Sequence, residues 1–161
     1  MDESHPDLEL NDETDYGLCF ACGPRHLSGM RLRFERVGDT VTTTLTARAE
    51  HQGFPGYLHG GVISALLDEA MSRVSLLEGR WTLTARMDVR FRRPVLIGQM
   101  VTAVAERSRG HARSIETRGR VELPDGVVAA EATGTYVYVP SETLADMSSP
   151  YPGLASEWMK G

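Results

Sequence analysis

His59-Gly60-Gly61-Val62-Ile63-Ser64-Ala65-Leu66-Leu67-Asp68-Glu69-Ala70-Met71-Ser72-Arg73-Val74-Ser75-Leu76-Leu77-Glu78-Gly79 is the stretch of this 161-residue chain in which the apolar period turns helical. Ile63, Leu66, Leu67, Ala70, Val74 and Leu77 fall three and four apart, which predicts an amphipathic helix from about Gly60 to Glu78. Glu69 and Arg73 stand four apart in the favourable order, and Gly79 sits where a helix stops.

On both sides of that helix the period is two. Met30, Leu32 and Phe34 alternate with Arg31, Arg33 and Glu35, and Val41, Thr43, Leu45 and Ala47 resume the pattern beyond Gly38-Asp39, a hairpin signal. His51-Gln52-Gly53-Phe54-Pro55-Gly56 is rich in turn formers and reads as a loop. After the helix, Ala85, Met87, Val89 and Phe91 face one way and Arg86, Asp88, Arg90 and Arg92 the other. Further strands follow around Val101–Glu106, through Ile115–Leu123 and from about Val127 to Val139, with Pro124-Asp125-Gly126 as a turn. The result is two strands, one helix and four strands. A single apolar-striped helix has to bury its stripe against a sheet, so the expected class is α+β, with a mainly antiparallel sheet wrapped on one helix.

Asp68 is the residue most suggestive of chemistry. On the helix it shares a face with the small residues Gly61, Ser64, Ala65, Ser72 and Ser75, which suits close approach by a ligand or another backbone; a turn cap or a pair with arginine is the alternative. Glycines at a helix start admit a ligand close to the backbone, and the first N–H groups there lack internal partners. Such an end can stabilise an oxyanion, with Asp68 two turns on as base or nucleophile. Cys19-Phe20-Ala21-Cys22-Gly23, with His26 nearby, admits three readings: packing of the N-terminal segment, a metal site short of four ligands, or a reactive thiol pair. Arg90, Arg92 and Arg93 crowd before Pro94 and could meet the phosphate groups of a ligand, or form a solvated strand end.

The run from His51 to Gly61, with Asp68 nine residues after His59, resembles the motif of hotdog-fold acyl-CoA thioesterases, in particular the phenylacetate-pathway and mitochondrial THEM4-like branches. The likeness extends from about Cys19 to Val139. It implies a hotdog fold and hydrolysis of an acyl-CoA thioester to an acid and a thiol, with no cofactor or metal. By position it implies that Asp68 is the catalytic carboxylate and that the Gly60 N–H polarises the thioester oxygen, with Gly61 beside it. His59 would shape the loop near the thioester, and Thr84 would orient water opposite a partner subunit's carboxylate. Relatives hold the water or thioester with an Asn before the motif; the nearest amide here is Gln52, at a different spacing. The resemblance also implies a homodimer, or a dimer of dimers, with sites between subunits. Two rivals are a non-catalytic acyl-CoA-binding module on the same fold and an enoyl-CoA lyase, though the latter wants a His inside the helix.

Composition sets the remaining bounds. One domain fits the length, and the expected layout is an acidic tail over 1–17, a domain over 18–140 and a tail over 141–161. Of the 22 acids, seven lie in residues 2–15, leaving 15 against 17 Lys and Arg in the rest. No basic stripe interleaved with aromatics suggests nucleic acid, and neither a membrane-length apolar run nor a basic leader is present, so the expected location is cytoplasmic. Two closely spaced cysteines make no disulfide framework.

Overall fold

The computed structural model describes residues 18–140 and 142–143, so the expected tails fall almost wholly outside the described residues. Six strands form one antiparallel sheet: β1 (Phe34–Val37), β2 (Thr40–Thr46), β3 (Thr82–Phe91), β4 (Met100–Gly110), β5 (Ser114–Glu122) and β6 (Val128–Tyr138). Their spatial order is β1-β2-β4-β5-β6-β3, and one helix, α1 (Gly60–Arg73), joins β2 to β3. A 3-10 turn over Val74–Glu78 completes the helical stretch, and Gly79 ends it at φ 65°, a left-handed conformation that glycine adopts without strain. This is the α+β arrangement of a hotdog fold.

α1 lies against one face of the sheet with Leu66, Leu67, Ala70 and Met71 buried, and Val74 of the 3-10 turn is buried after them. The strands meet it with small inward residues: Ala103 and Ala105 on β4, Gly119 and Val121 on β5, Ala130 and Ala132 on β6. A Cβ added at Gly119 would stand 2.9 Å from Met71 Cγ and 3.3 Å from Leu67 Cδ2. The helix therefore occupies a trough that glycine and alanine leave open. Each buried Leu or Met side chain contributes about 1.5–3 kcal/mol there.

Two local departures from the sequence pattern matter. The first strand is shorter than the alternation of Met30, Leu32 and Phe34 suggests. Arg31 has φ 54°, which breaks the extended run, and the Met30 and Leu32 N–H groups donate instead to Phe20 and Ala21 carbonyls at 2.8 and 2.9 Å. Both side chains are buried all the same. In β3 the register against β6 slips at Ala85: Thr84 lies opposite Tyr136, and Met87 opposite Gly134. Three residues on β3 thus span two on β6. That bulge turns Thr84, in place of the expected Ala85, onto the helix-facing side.

Gly134 is the tightest glycine on this face. A Cβ there would lie 2.7 Å from the Tyr136 ring, 3.1 Å from the Arg86 carbonyl oxygen and 3.1 Å from Met71 Cε. Gly134→Ala is expected to lower stability by about 1–3 kcal/mol through overpacking, read as a lower denaturant midpoint at unchanged slope.

Candidate active site

Asp68 sits half-buried on α1, turned toward the β3/β6 edge. Its Oδ1 accepts two hydroxyl hydrogen bonds, from Thr84 at 2.8 Å and from Tyr136 at 3.0 Å. Both donors come from the helix-facing row of the sheet, and Thr84 reaches it only because of the bulge at Ala85. Among the described residues nothing donates to Oδ2. One oxygen is fixed and the other is left to accept a proton or to attack.

Within the chain, Thr84 thus donates to its own Asp68; the resemblance implied a role for it opposite a partner subunit's carboxylate. Tyr136 was missed at the sequence level. Its signal was an aromatic in a row of Ala, Gly and Thr, since a fully buried tyrosine needs a partner for its hydroxyl. Burial, then the negative charge of Asp68, push the Tyr136 phenol well above the ordinary tyrosine range.

The start of α1 divides its two glycines between tasks. His59 is the N-cap, and its Nδ1 accepts the Gly61 N–H at 2.8 Å. The Val62 and Ile63 N–H groups both go to the His59 carbonyl, at 3.0 and 3.1 Å. Of the first-turn donors, the Gly60 N–H alone has no acceptor among the described residues. Gly61 is glycine for a packing reason, because a Cβ would stand 2.9 Å from His59 Nδ1. Gly53 backs the same imidazole, its added Cβ meeting His59 Cδ2 at 2.9 Å. An Nδ1 that accepts leaves the proton of a neutral His59 on Nε2.

Gly60 and Asp68 are eight residues apart on one helix, so they stand about 12 Å from each other along its axis. One carbonyl cannot touch both within a single chain. The remaining expected residues lie elsewhere. The Gln52 amide oxygen accepts the Gly56 N–H at 2.8 Å and closes the loop. Arg92 pairs with Glu131, and Arg90 lines a groove of about 420 Å³ on the outer sheet face with Asp88, Arg118, Arg120 and Glu131. The structure does not bring these arginines to Asp68.

The Tyr136 phenol is expected to stay protonated well above the pH of about 10 at which free tyrosine ionises, since burial and carboxylate charge both oppose the phenolate. The tyrosinate absorbance of wild type and Tyr136→Phe should therefore superimpose through that range. Loss of a tyrosinate step near pH 10 in the variant would contradict the network.

Residues 55–130, a little under half the chain, match the family model of the thioesterase superfamily. Acyl-coenzyme A thioesterase THEM4 of Bos taurus is 28% identical over 56% of this chain and 38% of its own length. Acyl-coenzyme A thioesterase THEM5 of Mus musculus is 33% identical over 30% of this chain and 20% of its own. The chain thus spans well under half the length of these curated relatives. Among solved structures, a thioesterase superfamily protein aligns with a TM-score of 0.69 at 28% identity, covering 73% of this chain and 62% of that one. A variant of the phenylacetic acid degradation protein PaaI from Thermus thermophilus aligns at 0.62 and 26% identity, over 67% of this chain and 93% of that one. A hypothetical thioesterase protein with coenzyme A from Streptococcus pneumoniae shares the fold at 0.64 and 17% identity, over 67% and 85%. Family model, curated relatives and solved structures agree with the motif: the chain has the hotdog fold and resembles the acyl-CoA thioesterases of the thioesterase superfamily.

Proposed function

We propose that the chain hydrolyses an acyl-CoA thioester, with Asp68 as general base or nucleophile and the Gly60 N–H as oxyanion donor. The observation that carries the reading is the Asp68 carboxylate, anchored through Oδ1 by Thr84 and Tyr136 while Oδ2 stays open. A carboxylate of fixed orientation is what either role requires. The thioester carbon becomes tetrahedral as water, deprotonated by Asp68, or Asp68 itself adds, with the Gly60 N–H donating to the oxyanion. Collapse breaks the C–S bond and the coenzyme A thiolate leaves with a proton; on the Asp68 route, water then hydrolyses the acyl–Asp68 anhydride to the free acid. The names of the relatives, and the coenzyme A in one neighbour, supply the substrate class. No helix among the described residues is long and apolar enough to cross a membrane, and the cytoplasm is the compartment that this reading assigns.

The separation of about 12 Å between Gly60 and Asp68 is the reason to propose a homodimer. Among the described residues β3 is an edge strand whose outer side meets no other strand, and Leu83 and Phe91 along it are about half exposed. A strand of ten residues left open in this way invites a second copy. Two-fold pairing there would lay one chain's Asp68 toward the other's helix start.

Asp68→Asn and Asp68→Ala are expected to lower thiol release from a panel of short, medium, long and aromatic acyl-CoAs on the order of 10²–10⁴-fold, with circular dichroism unchanged. Turnover retained in either variant would sink the mechanism. Binding of acyl-CoA by the wild type without thiol release would instead identify a binding module. The shared site has its own test. Gly60→Pro removes the N–H at the first helical position, where proline is tolerated, and His59 already has the extended backbone that proline requires before it (ψ 135°). Each variant alone should be inactive. Unfolded together and refolded, Gly60→Pro and Asp68→Asn should recover about a quarter of the wild-type rate, by random pairing in a two-fold dimer. No recovery would place the whole site in one chain.

A further inference from the structure

The helix face next to Asp68 carries a second cluster that the hydrolysis does not use. Cys19 and Cys22 stand on a turn closed by the Gly23 N–H on the Cys19 carbonyl at 2.9 Å. Their sulfurs and a Glu69 carboxylate oxygen all lie within 4.8 Å of one another. Cys19 is half-buried and Cys22 buried, and both are free thiols. The Cys22 N–H points at Cys19 Sγ at 3.5 Å. From below, the buried Arg73 guanidinium donates to Cys22 Sγ at 3.2 Å and to Glu69 at 2.7 Å.

This donor set argues against a metal ion. Glu69 is already paired with Arg73, whose guanidinium also donates to Cys22 Sγ, so a cation would have to compete with it for two of the three ligands. His26, the further ligand considered from the sequence, is not part of it and packs edge-on against Phe20. What remains is a dithiol with unequal members, one reachable and one shielded.

We propose that Cys19 and Cys22 form a redox-active dithiol that exchanges with low-molecular-weight disulfides, Cys19 as the attacking and Cys22 as the resolving thiol. Cys19 thiolate attacks one sulfur of a disulfide RSSR, forms the Cys19–S–SR mixed disulfide and releases RS⁻. Cys22 then gives up its proton and attacks Cys19 Sγ, expelling the second RS⁻. The balance is one RSSR reduced to two RSH for one Cys19–Cys22 disulfide formed. The two sulfurs already lie within 4.8 Å of one another, so closing the bond to the usual S–S length of about 2.05 Å takes a contraction of the turn.

The electrostatics agree with the division of labour. Donation from the Cys22 S–H, opposed by burial and helped by the Cys22 N–H, draws the Cys19 thiol down to about 6. The same hydrogen bond, with burial and the Glu69 charge, holds the Cys22 thiol far above the usual range despite Arg73. The attacking group is thus the half-buried thiolate, the more accessible of the two, and the resolving group stays protonated until the mixed disulfide forms.

The test uses the full-length protein equilibrated in glutathione buffers of stepped GSH/GSSG ratio, alkylated and mapped by mass spectrometry. Wild type is expected to pass to an intramolecular Cys19–Cys22 disulfide as GSSG rises, and Cys22→Ser to accumulate one glutathionyl group on Cys19. Cys19→Ser should gain little on Cys22. The pH dependence of Cys19 alkylation should have its midpoint at a pH of about 6, below that of an ordinary thiol. A wild type that keeps two alkylatable thiols across the series overturns the proposal, as does an adduct favouring Cys22. Stoichiometric zinc in the purified protein, released on alkylation, would overturn it in favour of a metal site.

Discussion

The close seating of α1 on the sheet is the constraint from which the rest of the structure follows. A helix this near leaves no room for large side chains beneath it, hence the glycines and alanines at positions 103, 105, 119, 130, 132 and 134. The same seating brings the helix within reach of hydroxyl groups on the strands. Tyr136 is a large, fully buried side chain of β6, and its ring leans over Gly134 to place its hydroxyl on Asp68. Without glycine at 134 the ring could not lie there. Packing and site geometry are one arrangement.

Polar groups near this interface have to be satisfied, and the way they are satisfied selects which atoms stay reactive. At the helix start, three N–H groups are absorbed by His59 and the fourth is not. At Asp68, two donors converge on one oxygen and none on the other. An unsatisfied group at a buried position costs about 1–3 kcal/mol, so those left open near a surface are where a ligand can replace water.

The period change at Gly60 and the return to alternation after Gly79 made the fold legible, because burial of one face writes itself into the apolar spacing. Asp68 was legible for a different reason, as a carboxylate on a face of small residues. What stayed hidden depended on register. A bulge leaves no mark in a sequence where Thr84 and Ala85 both suit a strand, yet it decides which of them faces α1. Tyr136 stayed hidden with it, since its partner across the sheet could not be assigned. The Arg31 break in the first strand likewise has no glycine to announce it. The two glycines at 60 and 61 looked alike, and only the position of the His59 ring separates a donor left open from one consumed as a cap.

Asp68 and Glu69 are neighbours in sequence, and helix geometry keeps them from acting as a pair. Successive residues diverge by about 100° around an α-helix, since 3.6 complete a turn. Asp68 is thereby turned to β3 and β6, while Glu69 is turned to Arg73 and the cysteine turn. Glu69 has its charge neutralised by a guanidinium that is itself buried, so it holds the N-terminal turn against α1. Asp68 has no cation beside it among its hydrogen-bond partners, only hydroxyls. The two acids therefore serve different neighbours. At the β3/β6 edge a single carboxylate stands among hydroxyls, and the thiols lie on the neighbouring face of the helix, beside Glu69.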